Sequence, residues 1–220
     1  MGDTRATLRL WNEHAVKVVG TWLLISLCIA GLMMASVLVV SWVSTPQVTM
    51  AIPNLLLEPH LADAARVFKR NVLVLALHAF ICLAGFMAMR TLPAQAKLRT
   101  GVDRFVHHHA GRFTMLFVSA ATLFSISTQV YVLGHQVADL ALTLHLKPVE
   151  LLLTVLPHAL LELTAMFLPL AAFLVCSMHK RWNELLAATV VTVAVALPML
   201  VVAGLVEAYV WPTLLSSAVF

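Results

Sequence analysis

Long stretches without a charged side chain constrain this chain more than any other feature. The longest runs from Val18 to Leu57, and a second covers Asn71–Met89. An α-helix crosses the apolar core of a bilayer with about 20 such residues. Charged residues make up only 11% of the chain, whereas soluble domains carry about 25%. So few charges cannot cover a soluble globule, which excludes a water-soluble enzyme, a nucleic-acid-binding module and a disordered chain.

The apolar stretches predict an all-α fold, a polytopic membrane helix bundle with about five transmembrane helices. Pro is favoured in the first turn of a helix, so we start the fourth span at Pro157 and expect 149–156 to form a surface or re-entrant segment. The mixed pattern of residues 58–70 predicts an interfacial helix. Pro198 predicts a kink in the last span. We divide the chain into a cytoplasmic arm at 1–17 and a single membrane domain at 18–220, with spans at 18–43, 71–89, 113–133, 157–178 and 185–209.

The third span is unusually rich in hydroxyl and amide side chains. Six of them fall within Ser119–Gln129. Lipid cannot satisfy their hydrogen bonds, so we expect this helix to lie inside the bundle.

Basic residues indicate the orientation. With the N-terminus inside, ten of the 14 Lys and Arg residues fall in inner segments, as the positive-inside rule requires. This predicts that the C-terminus lies outside; if 149–156 crosses the membrane, the C-terminus moves inside. The seven inner basic residues outside the N-terminal arm either contact anionic lipid or dock a cytosolic partner such as an ATPase subunit. They are Arg90, Lys97, Arg99, Arg104, Arg112, Lys180 and Arg181.

Ionisable side chains within spans are costly and are by default functional candidates. The candidates are His78, His158, Glu162 and Glu207, with Asn71 at the mouth of the second span. Four of them can lie in one layer near the outer surface: Asn71, His158, Glu162 and Glu207. His158 and Glu162 are four residues apart, so they share a helix face and can hydrogen-bond to each other. Counting depth from Pro157 and from Trp211 puts both glutamates about 7–8 Å below the outer surface. We therefore expect the four side chains to form one hydrogen-bonded cluster.

This polar layer has three interpretations. It is a structural cluster that fixes helix register, a path for protons or substrate, or a metal or hydrolase site, which needs three protein ligands and an open position. We expect no catalytic residue, metal or cofactor. His107–His109 are interpreted as part of a solvated loop, and the three cysteines as small packing residues.

Three segments resemble the stage II sporulation protein M family. Residues 156–162, Leu-Pro-His-Ala-Leu-Leu-Glu, resemble its P-H-G-x-x-E signature, with Ala159 in place of the glycine. The segment Gly204–Pro212 resembles its closing motif. Phe68-Lys69-Arg70-Asn71, with Gly85 further along, is similar to its F-x-x-N motif, with Arg70 where a second Asn is common.

The resemblance implies that Asn71, His158, Glu162 and Glu207 are the family's polar positions. It also implies a non-enzymatic membrane subunit, a permease or scaffold, of an envelope-remodelling or peptide and bacteriocin export complex. Expected partners are membrane lipid, further copies or other subunits in an oligomer, and a cytosolic ATPase, but no nucleic acid. The alternative is a membrane-embedded hydrolase or peptide-maturation enzyme that uses His158, Glu162 and Glu207.

Overall fold

The computed structural model describes residues 2–13, 15–46 and 61–219, and these residues are almost entirely α-helical. Five of the described helical segments are long and apolar enough to cross a membrane, which confirms the all-α membrane bundle. The elements are α1 (Gly2–Glu13), α2 (Ala15–Val43), α3 (Leu61–Phe86), a π-helical segment (Met87–Thr91), α4 (Leu92–Ala96), α5 (Gly101–Thr143), α6 (Pro148–Met178), a 3-10 turn (Trp182–Glu184), α7 (Leu185–Tyr209) and α8 (Trp211–Val219).

Two tight turns reverse the chain after α5 and after α6. At the first, His145 adopts a left-handed φ of 56°, and the Leu146 N–H donates to the Ala141 carbonyl at 2.9 Å. The turn after α6 has the same pattern around Lys180, whose φ is 55°. These are Schellman motifs, which end a helix by satisfying its last carbonyls. Glycine is the usual residue at the left-handed position, so neither turn carries the ordinary sequence signal.

The prediction that Pro157 begins the fourth span is wrong. Helix α6 runs without a break from Pro148, so 149–156 is not a separate re-entrant segment. Pro148 supplies the proline of the first turn, and the Glu150 carboxylate accepts the Lys147 backbone N–H at 2.8 Å. This is one half of a capping box, a strong helix start that competes with the signal at Pro157.

The added turns of α6 are covered by neighbouring helices. Leu151 is buried together with Ala141 of α5 and Leu215 of α8, and Trp211 packs against the same cluster. This packing stabilises the turns that precede Pro157. Helix α7 continues through Pro198, and its bounds agree with the predicted fifth span.

Two other predicted segments differ from the structure. Residues 61–70 belong to α3 and do not form a separate interfacial helix, while 58–60 lie outside the described residues. The basic segment 90–112, expected to be a loop, is largely helical, and His107–His109 lie within α5. The arm at 1–17 contains α1 and the first turn of α2.

Helix α5 is not inside the bundle as predicted. None of the residues in the most apolar 18-residue stretch of this described helix is buried. Three of the six polar side chains bond within the helix: Thr122 Oγ1 donates to the Val118 carbonyl at 2.8 Å, and Gln129 Nε2 donates to Ser125 Oγ at 3.2 Å. Because groups one turn apart satisfy each other, these three side chains need no neighbouring helix for those bonds.

The chain divides into two compact units. Unit 1 comprises Met1–Ser26, Leu73–Phe124 and Met166–Ala196. Its core contains Phe167, Leu168 and Leu185, each no more than 2% exposed. Glycine permits close helix contacts here, because a Cβ at Gly111 would overlap the Ala88 carbonyl. The α1 helix contacts the 3-10 turn, and Trp11 packs edge-on against Trp22 with ring centroids 5.1 Å apart.

Unit 2 comprises Leu27–Val72, Ser125–Ala165 and Leu197–Phe220. Helices α2 and α5 approach closely at Gly134, where a Cβ would overlap the Val40 side chain. The four residues of the predicted polar layer belong to this unit, whereas His78, the fifth candidate, belongs to unit 1.

Candidate functional site

A cavity of about 190 Å³ lies within unit 2, between parts of α2, α3, α5, α6 and α7. We call it the α6 cavity, because α6 contributes the largest share of its wall. Most of the wall is apolar, with side chains such as Met33, Val37 and Val137. The polar exceptions are Arg70, His158, Glu162 and Glu207. A mostly apolar cavity with a few convergent polar groups is the usual form of a ligand site.

Three helices bring these polar side chains together. His158 and Glu162 lie one turn apart on α6, which places both on the face that lines the cavity. Glu207 comes from the last turn of α7. Arg70 comes from α3, and its neighbour Asn71 is buried at 2% exposure. The predicted set of four therefore occupies one region of unit 2, three at the cavity wall and Asn71 beside them.

Charge is unbalanced in this region. Glu162 and Glu207 are close enough to repel each other, while Arg70 attracts both carboxylates. Asn71 turns its side-chain amide toward Glu162, but its Nδ2 does not meet hydrogen-bond geometry with any described residue. When both carboxylates are ionised and His158 is neutral, the two carboxylates and the one guanidinium carry one net negative charge.

The expected hydrogen-bonded cluster does not form among the described residues. Three buried atoms at this site lack a hydrogen-bond partner there: Asn71 Nδ2, His158 Nδ1 and Glu207 Oε2. Within the same described part of the chain, no hydrogen bond joins His158 Nδ1 to Glu162, although the spacing of the two residues allows one. Buried polar atoms in proteins are nearly always hydrogen-bonded, and each one left alone costs about 1–3 kcal/mol.

Trp211 packs against the ring of His158. Its ring lies edge-on to the His158 ring, with centroids 5.7 Å apart. The Trp211 Nε1–H donates to Thr154 Oγ1 at 3.3 Å. Because Thr154 and His158 are one turn apart on α6, the indole fixes the orientation of the histidine ring without giving its Nδ1 a partner.

The inner basic residues all belong to unit 1 and are exposed. Arg99 pairs with Asp103 at 2.6 Å, and Arg181 pairs with Glu184 at 3.3 Å. The others lie along the π-helical segment, the end of α4, the start of α5 and the turn after α6: Arg90, Lys97, Arg104, Arg112 and Lys180. They lie in a different unit from the α6 cavity.

The triple histidine shows ordinary helix contacts. His107 Nδ1 lies 2.9 Å from the Asp103 carbonyl and 3.1 Å from its carboxylate. Across residues 2–13, 15–46 and 61–219, no three His, Cys, Asp or Glu side chains are grouped so that they could hold a metal ion.

Sequence reasoning missed Arg70 and Trp211 as parts of the site. Arg70 enters the prediction only as the neighbour of Asn71 in the resemblance to the F-x-x-N motif, although its position at the start of an apolar run is a usable signal. Trp211 enters only as the point from which the depth of Glu207 is counted, and its contact with Thr154 depends on the early start of α6.

Fold and site together define a multi-pass all-α membrane protein with a mostly apolar cavity that has four polar side chains in its wall. No family model, curated protein or solved structure matches the chain. The similarity to the stage II sporulation protein M family, and the complex that it implies, stays a prediction.

Proposed function

We propose that this chain is a non-enzymatic membrane subunit with a permease role, which holds a small solute in the α6 cavity. The observation that carries the proposal is the set of buried polar atoms around the cavity that have no partner among the described residues. A purely structural cluster stabilises a bundle by pairing its polar groups. Here the groups are brought together and left unpaired, which is the arrangement expected of a site that a ligand completes.

We also propose the membrane, the orientation and the partners of the chain. The resemblance to the stage II sporulation protein M family favours a bacterial cytoplasmic membrane, and the distribution of Lys and Arg favours an N-terminus inside and a C-terminus outside. In that orientation the inner basic residues of unit 1 contact anionic lipid or a cytosolic ATPase subunit of an export or envelope complex. An oligomer with copies of itself or with other subunits fits the same role.

Access of water-soluble reagents to the cavity tests the permease role. Ala159 lines the cavity, whereas Ala165 lies farther along α6 and is 0% exposed. The variants Ala159→Cys and Ala165→Cys are made in a background where Cys28, Cys82 and Cys176 are replaced by Ala. Since a thiol reacts only where reagent and water reach it, a small charged methanethiosulfonate should label the Ala159→Cys variant at least about tenfold faster than the Ala165→Cys variant in lipid nanodiscs. Equal, slow labelling of both would mean a sealed structural cluster and would overturn the proposal.

An enzyme is the second candidate, because His158, Glu162 and Glu207 line the same cavity. A hydrolase would use one of them to activate water within about 3 Å of the substrate. Proteoliposomes with the full chain would then cleave peptide or ester substrates, and Glu162→Gln would remove that activity while leaving the labelling of Ala159→Cys intact. Labelling without turnover supports the permease role.

A further inference from the structure

Building on the proposed function, we infer that the α6 cavity binds a small organic cation through its ammonium group. The carboxylates of Glu162 and Glu207 accept its hydrogen bonds, and the apolar wall contacts its aliphatic part.

Charge is the first reason. Among the described residues that line the cavity, Arg70 is the only Lys or Arg, and it faces two carboxylates. An uncompensated carboxylate in apolar surroundings is very costly. When both carboxylates are ionised, one bound monovalent cation balances the region, whereas an anion would add a negative charge beside Glu162 and Glu207.

Hydrogen-bonding capacity is the second reason. Glu207 Oε2 is a buried acceptor without a donor among the described residues. His158 is 6% exposed and lines the cavity, and its Nδ1 likewise has no partner there. An ammonium group carries three donors and no acceptor, so it pairs with a carboxylate oxygen and with the His158 tautomer in which Nδ1 is the acceptor.

The lining and size of the cavity favour an organic cation over a metal ion. Hard cations such as Ca²⁺ take six to eight oxygen ligands, but Met33, Val37 and Val137 make this wall largely apolar. The volume of about 190 Å³ corresponds to about six water molecules at roughly 30 Å³ each. That space accommodates an ammonium group on a chain of about four carbons.

Arg70 acts as a tethered competitor in this arrangement. Its guanidinium already attracts both carboxylates, so a free cation must share the carboxylates with the guanidinium or displace it. Removing the arginine charge should therefore strengthen the binding of a cation, whereas a merely structural ion pair would give no such gain.

The experiment uses the full chain in lipid nanodiscs and saturation-transfer difference NMR, with n-butylammonium as the probe. Butan-1-ol and n-butyrate are matched in length and differ in charge. We expect the amine to bind, the alcohol to bind at least about tenfold more weakly, and butyrate not to bind, since a charge-assisted hydrogen bond accounts for about that factor. This comparison needs no variant and is independent of folding defects.

Variants then locate the site. Glu207→Gln and Glu162→Gln should each weaken amine binding about tenfold, while Glu150→Gln, at an exposed α6 carboxylate beside Lys147, should not change it. Arg70→Met should tighten it about fivefold, and Lys69→Met, at its exposed neighbour, should have no such effect. Size-exclusion chromatography confirms that each variant is folded before titration.

The outcomes separate this inference from the proposed function. Equal binding of the alcohol, a preference for butyrate, or amine binding that Glu162→Gln and Glu207→Gln leave unchanged would overturn the cation assignment. If no probe binds while the Ala159→Cys variant is still labelled, the cation inference fails and the permease role stands. If that variant is not labelled, the permease role itself fails.

Discussion

Two buried histidines, one in each unit, have opposite surroundings. His78 in unit 1 is 7% exposed, its Nδ1 lies 2.9 Å from the Val74 carbonyl, and its ring packs edge-on against Phe167. His158 in unit 2 is 6% exposed, but its Nδ1 has no partner among the described residues and its ring lines a cavity. Burial alone therefore does not mark a functional side chain. What distinguishes His158 is a hydrogen-bonding group held in place without a partner.

Helix α6 shows the same contrast along its length. In unit 1, the stretch from Met166 to Phe173 is buried at every position. In unit 2, the turns from His158 to Glu162 border the cavity. Unit 1 therefore owes its stability to close packing, whereas the cavity side of unit 2 keeps polar groups that weaken it. Substitutions in the two units test this difference in stability.

The largest effect is expected in the core of unit 1. Phe167→Ala should lower the free energy of unfolding by about 3 kcal/mol, the low end of the range for Phe→Ala, because lipid solvates an exposed ring better than water does. Reversible unfolding in mixed detergent micelles measures it. Phe124→Ala, at a side chain that is 75% exposed, is the matched control and should change little. Similar losses in both would mean that unit 1 is not packed as described.

The next effect concerns the close contact at Gly111. Gly111→Ala should cost about 2 kcal/mol, because the new methyl group meets the Ala88 backbone carbonyl, which cannot move aside as a side chain can. Gly31→Ala is the control: within the described part of the chain, no atom of another helix lies within 4 Å of its added Cβ, so it should stabilise the helix by up to about 1 kcal/mol. Unfolding in the same micelles compares them. A neutral Gly111→Ala would show that this contact is looser than described.

The sequence predicted the all-α class and the five long apolar helices, because a run of about 20 apolar residues has few alternatives to a membrane helix. The bounds of α7 agree with the prediction, and Asn71, His158, Glu162 and Glu207 stood out because polar side chains are rare in such runs. The sequence could not predict how α6 begins. Pro148 and Pro157 are both acceptable first-turn residues, and the packing of Leu151 against α8 decides between them.

The sequence also could not predict which hydrogen-bond partners the polar side chains have. The spacing of His158 and Glu162 permits a bond, but ring orientation, set by Trp211, determines whether it forms. The hydroxyl groups of α5 suggested a buried helix, yet those of Thr122 and Ser125 bond within the helix itself. In both cases the pattern indicated the position of a polar group, and only tertiary structure determined its partner.

The two histidines test most directly whether unit 2 keeps unpaired polar groups for a ligand. The measurement is the free energy of unfolding, without added ligand, of His78→Leu and His158→Leu. His78→Leu should lose about 1 kcal/mol with its hydrogen bond, while His158→Leu should gain about 1 kcal/mol of stability, since it removes a buried polar atom that has no partner among the described residues. If His158→Leu loses as much stability as His78→Leu, the polar groups form a structural cluster and are not kept unpaired for a ligand.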